Sequence, residues 1–291
     1  MSRRLLISTI IATALVTAVI SVSITRTAGQ AARAARTADG KPNLSGVWQA
    51  NNEANWDLQA HQARPGAVTQ RGVYPYAFAE VPAAPVLALG AAAGVPGSLG
   101  VVQDDAQIPY TSEAAAKKAE NAAHWIDRDP ELKCYLPGIP RAMYMPYPFQ
   151  IVQSASSNDI LITYEFASAA RIVRMNTKTE SPTDTWMGWS RGHWEGDTLV
   201  VDVTAFNGQS WFDRAGNYQS DKLHVVERYT PMGRDALRYE VTIEDPTLYT
   251  RPWKMSMPIY RRLEKDAQLM DYKCVEFAEP VIYGHLVKPT N

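Results

Sequence analysis

Thr198-Leu199-Val200-Val201-Asp202-Val203-Thr204-Ala205-Phe206 alternates apolar and polar residues and is entered from the tight Glu195-Gly196-Asp197 turn. It therefore reads as a β-strand that follows a hairpin turn. Two further alternating segments, residues 223–229 and 237–244, flank the Pro231-Met232-Gly233-Arg234 turn and form a second hairpin. Taken with its flanks from Trp186 to Trp253, this stretch reads as the wall of a β-barrel, and no catalytic signature sits on it.

Working outward, strands are expected at residues 43–48, 150–155, 159–166, 171–175, 254–262 and 267–277. In residues 159–166, Ile160, Ile162, Tyr164 and Phe166 share one face. About eight to ten strands suit a closed barrel or sandwich. The expected fold class is mostly β, an antiparallel lipocalin-like barrel with one or two short helices and long loops. A helix is expected over residues 112–127, with Ser112 as N-cap and Pro130 beyond its end. Residues 81–100, built of Ala, Pro, Gly, Val and Leu with a single Ser, read as a loop packed across the barrel or over its mouth. The run from Cys134 to Phe149, rich in proline and aromatics, reads as extended and irregular.

The amino terminus, Ser2-Arg3-Arg4 followed by an uncharged, mostly apolar run over residues 5–24, reads as an export signal. Ser2-Arg3-Arg4-Leu5-Leu6-Ile7 also resembles a twin-arginine export motif. The small residues Thr27-Ala28-Gly29 and Ala31-Ala32-Arg33-Ala34 offer cleavage sites. Residues 1–34 are thus a signal peptide or, since the run is long enough to cross a bilayer, a membrane anchor. Residues 35–291 form a single barrel domain that lies in the periplasm or outside the cell. With a formal net charge of −1 there is no long basic face for phosphates, so nucleic acid is not an expected partner.

The two cysteines, Cys134 and Cys274, are expected to form one disulfide in an oxidising compartment. No metal site is expected, because CxxC and HxxxH spacings are lacking. No cofactor is expected either: glycine loops that cradle phosphate, a serine nucleophile elbow and a zinc signature are all absent. Residues 207–221 hold Asp213, Asn217 and Asp221 but lack the spacing and closing Glu of a calcium loop, and read as a surface hairpin or Ω-loop.

Pairing Tyr229 with Leu237 and Val225 with Val241 assigns the faces of the second hairpin. One face carries Leu223, Val225, Glu227, Tyr229, Leu237, Tyr239, Val241 and Ile243. The other carries His224, Val226, Arg228, Arg238, Glu240, Thr242 and Glu244, a mixed-charge outer wall with Arg228 and Glu240 as a diagonal pair. Glu227 is then the one charge on an apolar and aromatic face, opposite Tyr239, and needs a partner or a raised pKa. Arg171 and the Tyr239 phenol are the candidate partners. Asp202 raises the same question for Arg171. Either pairing is a structural ion pair or the polar spot of a ligand cavity. Glu227 and His224 point to opposite faces in a regular strand, so a lumen on the polar face would make His224 the acid/base group instead. Trp186, Trp189 and Trp194, with His193, read first as core or rim packing and second as an aromatic platform for a ligand.

Three stretches, Gly40-Lys41-Pro42-Asn43-Leu44-Ser45-Gly46-Val47-Trp48, Trp194-Glu195-Gly196-Asp197-Thr198-Leu199-Val200-Val201-Asp202, and Glu244-Asp245-Pro246 with Pro252-Trp253, resemble a family of exported, uncharacterised bacterial β proteins. The resemblance implies export and a shared β fold and carries no activity. Gly46-Val47-Trp48 is also similar to the first strand of lipocalin barrels, where the Trp plugs the floor; a buried Trp of any β domain gives the same pattern. That likeness implies a cavity for an apolar ligand. Three functions are carried forward. The first is binding of a small, largely apolar molecule. The second is an acid/base isomerase, lyase or hydrolase in the same barrel, using Glu227, Arg171, Asp202 or His224. The third is an envelope scaffold with a fully packed interior.

Overall fold

The computed structural model describes residues 34–64, 66–69, 78–81 and 95–272. Strand β1 (Gly46–Ala50) opens the barrel, and β2 (Gly66–Thr69) and β3 (Phe78–Val81) form a separate two-stranded sheet. Helices α1 (Ser112–Ala123) and α2 (Trp125–Arg128) follow. The chain then enters β4 (Phe149–Gln153), β5 (Ile160–Tyr164) and β6 (Ala170–Met175). Next come β7 (Trp189–Glu195), β8 (Thr198–Thr204) and β9 (His224–Pro231). The last two are β10 (Ala236–Glu244) and β11 (Trp253–Arg261).

The barrel closes because β1 pairs with β4 on one side and β11 on the other, giving the order β1-β11-β10-β9-β8-β7-β6-β5-β4. Among the described residues, closure leaves none of the nine barrel strands as a sheet edge, which removes the template for pairing with a neighbour there. One seam departs from the antiparallel expectation: β6 and β7 run parallel, with Val173 opposite Ser190. The connection over residues 176–188 carries the chain back to the end from which β6 started. It leaves β6 through Asn176 and enters β7 through Gly188, both at positive φ.

Strands β5, β6, β9, β10 and β11 bury alternate side chains, and β8 does the same with Val200 buried in addition. Leu199, Val201 and Val203 of β8, Val225, Glu227 and Tyr229 of β9, and Tyr239, Val241 and Ile243 of β10 all point inward and are essentially inaccessible. The hairpin register differs from the expected one by two residues, since Tyr239 faces Tyr229, Val241 faces Glu227 and Leu237 faces Pro231. A shift of two preserves parity, so the face assignment holds while Glu227 lies diagonal to Tyr239 rather than opposite it. Arg228 lies directly across from Glu240, and its guanidinium bonds Glu195 at 2.9 Å.

Trp48 is buried at one end, its Nε1 donating to Leu44 O at 2.8 Å and its ring covered by the Arg261 guanidinium at 4.2 Å. Gly46 has no side chain for a reason: a Cβ there would fall on Arg261, and its φ of +145° disfavours any other residue.

Other local readings need correction. Thr111, not Ser112, caps α1, its hydroxyl accepting from Ala114 N at 3.2 Å. The helix stops at Ala123, and His124 breaks it before the single turn of α2. Residues 267–272 are irregular rather than a strand; the rest of that expected strand, with Cys274, lies outside the described residues, as do the export segment over residues 1–33 and residues 82–94 of the apolar loop. β7 falls where the sequence shows only an aromatic cluster.

Residues 207–221, expected as a surface hairpin or Ω-loop, turn back with Trp211 opposite Tyr218 but are not at the surface. Ser210, Trp211, Phe212, Asp213, Ala215, Asn217 and Gln219 are all buried. Asp213 organises the loop, accepting from Leu58 N, Ala215 N, Asn217 N and Asn217 Nδ2 at 2.6–3.1 Å. Gly216, at φ +85°, lies against α1, where a Cβ would come within 2.5 Å of Lys118 O and 2.6 Å of Ala122 N. Gly216→Ala is therefore expected to cost at least about 1–3 kcal/mol from the left-handed backbone alone. A urea titration checks this, and an unchanged midpoint would refute it.

Candidate functional site

The inner wall is apolar and aromatic among the described residues except at one place. Arg171 on β6 and Glu227 on β9 face each other across the lumen in a two-pronged ion pair. Arg171 Nη1 donates to Glu227 Oε2 at 2.6 Å and Nη2 to Oε1 at 3.0 Å. Tyr229 and Tyr239 also donate to Oε1, at 2.8 and 2.7 Å. The Glu227 carboxylate thus receives four hydrogen bonds, which is how a charge survives without water. Ser190 Oγ of β7 lies 3.3 Å from Arg171 Nη1.

Burial works to lower the Arg171 pKa, but Glu227 and the neighbouring tyrosines hold it well above the usual value. Burial, joined by the Glu227 charge, pushes the hydroxyls of Tyr229 and Tyr239 far up, and burial does the same to Tyr164. All three phenols stay protonated across the physiological range and serve as donors.

The cluster is closed from one end by residues 141–145, all buried, which include a single 3-10 turn, Arg141–Met143. Met143 reaches into the lumen. Its sulfur lies 3.3 Å from Tyr164 Oη, 3.5 Å from Tyr229 Oη and 3.8 Å from Arg171 Nη2. The turn is held by a second buried network. Arg141 donates to both oxygens of Asp129 at 2.7 and 2.8 Å, to Glu131 at 3.1 Å and, through Nε, to Asn55 at 2.8 Å. Arg214 clasps Glu131 twice at 2.8 Å and lies over the Trp56 ring at 4.3 Å. Tyr144 Oη donates to Phe212 O at 2.9 Å, tying the turn to the loop over residues 207–221.

Three donors on the inward face lack a good acceptor: Trp253 Nε1 of β11 is buried without a hydrogen-bond partner, and two more meet at the ion pair. Arg171 Nε is buried with no hydrogen-bond partner, and the Tyr164 proton points at the Met143 thioether. A thioether sulfur is a weak acceptor.

The sequence candidates separate into groups. Arg171, Glu227 and Tyr239 meet in the lumen. Asp202 and His224 do not join them; they sit on the outer wall, where Asp202 accepts from Arg191 at 2.6 Å and lies 2.7 Å from His224 Nε2. Glu244 lies 3.2 Å from His224 Nδ1. The period of two puts them there: Asp202 faces Val226, a neighbour of the buried Glu227. The three tryptophans do not form one platform. Trp194 packs against the core from inside. Trp189, five residues away, points outward under Arg174, whose guanidinium lies 3.6 Å from the ring centre. Trp186 stacks on Tyr135 at 5.0 Å.

The sequence places Tyr164 on one face with Ile160 and Ile162, and the structure turns that face inward; nothing in the alternation ties it to this cluster. Met143 carries no sequence signal, since it arrives from an irregular segment distant along the chain. Ser190 lies on the strand that went unrecognised.

The outer triad gives a pH prediction. The bond to Asp202, assisted by Glu244 and opposed by partial burial, raises the His224 pKa above 6.5. Its stabilising contribution is therefore complete below the unfolded value and is lost as pH rises through the folded one. Asp202, lowered chiefly by His224, contributes above its unfolded value and loses that contribution as pH falls through its folded one. An NMR titration of His224 should show a midpoint above 6.5 that drops in Asp202→Asn. A midpoint unmoved by that substitution would contradict the pairing. Comparison of the chain with protein-family models, with curated proteins and with solved structures finds no match.

Proposed function

We propose that this is an exported β-barrel protein that holds a small, largely apolar molecule in its lumen, with Arg171 and Tyr164 as its polar anchor. The observation that carries this reading is the unmatched donor capacity of those two residues inside an apolar barrel. Buried donors are satisfied in nearly all native interiors, and an orphan inside a barrel points to a partner not belonging to the chain. The export assignment rests on residues 2–34, and a Cys134–Cys274 disulfide accords with it.

The acid/base enzyme draws less support. Glu227 already takes four donors, three of them on one oxygen, and His224 is outside the barrel. A packed scaffold leaves the Arg171, Tyr164 and Trp253 donors unexplained.

Titrating a brominated alkane into the mature protein tests the reading. Saturable quenching of tryptophan fluorescence at one molecule per chain is expected, and quenching that rises without saturation would count against a lumenal site. For the disulfide, alkylation in denaturant should modify no thiol before reduction and two after it. Two modified thiols without reduction would remove the bond.

A further inference from the structure

We infer that the molecule held in the barrel presents a neutral carbonyl oxygen, as in a ketone or ester, and that this oxygen takes the place of the Met143 sulfur between Tyr164 and Arg171. This rests on the proposed lumenal binding and adds the chemical class of the ligand.

Charge decides between a carbonyl and a carboxylate. Arg171 is already matched by Glu227 at 2.6 and 3.0 Å, so the cluster is an ion pair of zero net charge. An incoming carboxylate would be a second negative charge beside Glu227, desolvated and without a counter-ion, which is among the most costly states a protein interior can hold. A carbonyl adds no charge, and its oxygen, set where the Met143 sulfur lies 3.3 Å from the Tyr164 hydroxyl and 3.8 Å from Arg171 Nη2, accepts from that hydroxyl beside the guanidinium whose Nε is unmatched. A hydrocarbon would leave both donors as they are.

Met143 occupies this place without blocking it permanently. Its backbone turn is fixed by Arg141 and Tyr144, while the unbranched thioether side chain has three rotatable bonds and turns aside at low cost. Exchanging a weak sulfur acceptor for an oxygen then strengthens the hydrogen bonds that the unliganded protein leaves poor.

The test is a matched series of one chain length, dodecan-2-one, dodecanoate and dodecane, titrated at neutral pH into the mature protein. The ketone is expected to bind about tenfold tighter than the alkane, and tighter still than the carboxylate. Tyr164→Phe removes one hydroxyl with its ring retained, and should bring the ketone's affinity close to that of the alkane with thermal stability nearly unchanged. Glu227→Gln frees the Arg171 charge and should invert the preference toward dodecanoate; if that variant does not fold, Tyr164→Phe alone decides. Dodecanoate binding most tightly to the unaltered protein, or a ketone affinity untouched by Tyr164→Phe, overturns the inference and leaves lumenal binding standing. Uptake of none of the three by a protein that carries some other bound molecule also overturns the inference alone. Uptake of none by an empty protein overturns the proposed function with it.

Discussion

Arg171→Met is expected to destabilise the fold by about 3–5 kcal/mol, because it leaves the Glu227 charge buried without its counter-ion. The double variant Arg171→Met/Glu227→Leu should recover most of that loss. Removing both charges also removes the desolvation that the pair has to offset, and well-packed apolar replacements of buried ion pairs are often neutral or stabilising. The tyrosines sharpen the contrast. In the single variant Tyr229 and Tyr239 still donate to the orphaned carboxylate, but two neutral hydrogen bonds do not replace a bidentate guanidinium. Urea unfolding of the unaltered protein, both singles and the double closes the cycle. Recovery in the double would identify a pair retained for something other than stability, and the orphaned Nε of Arg171 agrees with that view. A double variant as unstable as the single would instead make the cluster part of the scaffold's own support.

Arg141→Met should have an effect of similar size, about 3–5 kcal/mol, by a different route. Burial pushes the Asp129 carboxyl up even with Arg141 beside it. Burial works to raise Glu131 as well, yet Arg214 and Arg141 hold it below the usual range. Removing Arg141 leaves Asp129 with no cation recorded against it among the described residues and loosens the turn that carries Met143 into the lumen. The variant should therefore lose stability and also become open to proteolysis between residues 135 and 149. Limited digestion that cuts elsewhere first would show that the turn is held mainly by its apolar packing. Lys in place of Arg141 should restore little, since one ammonium cannot serve Asp129, Glu131 and Asn55 together.

The barrel was legible where strands follow one another through short turns. The alternation in residues 198–206, 223–229 and 237–244 specifies β8, β9 and β10 and puts Glu227 inside, because a register error of two residues leaves every face where it was. Arg171 as its partner followed from the same parity, as the inward residue beside Val173 and Met175. The misses have a common cause. Met143, Asp129, Arg141 and the loop around Asp213 are buried by irregular backbone, and irregular backbone has no period from which to read a face. β7 was obscured because Trp189 and Trp194 both suggested core packing, although an odd spacing puts them on opposite sides of a strand. The parallel seam between β6 and β7 was hidden for a related reason: the thirteen residues joining them, 176–188, form no helix that would announce a crossover.

Native mass spectrometry of the mature protein, purified from its exported fraction and gently activated, is the most direct test of the claim that the lumen is a binding site. One small molecule per chain, released intact on activation and lost in Arg171→Met/Glu227→Leu, is the expected result. A chain at its bare mass that takes up no apolar molecule on incubation would contradict it.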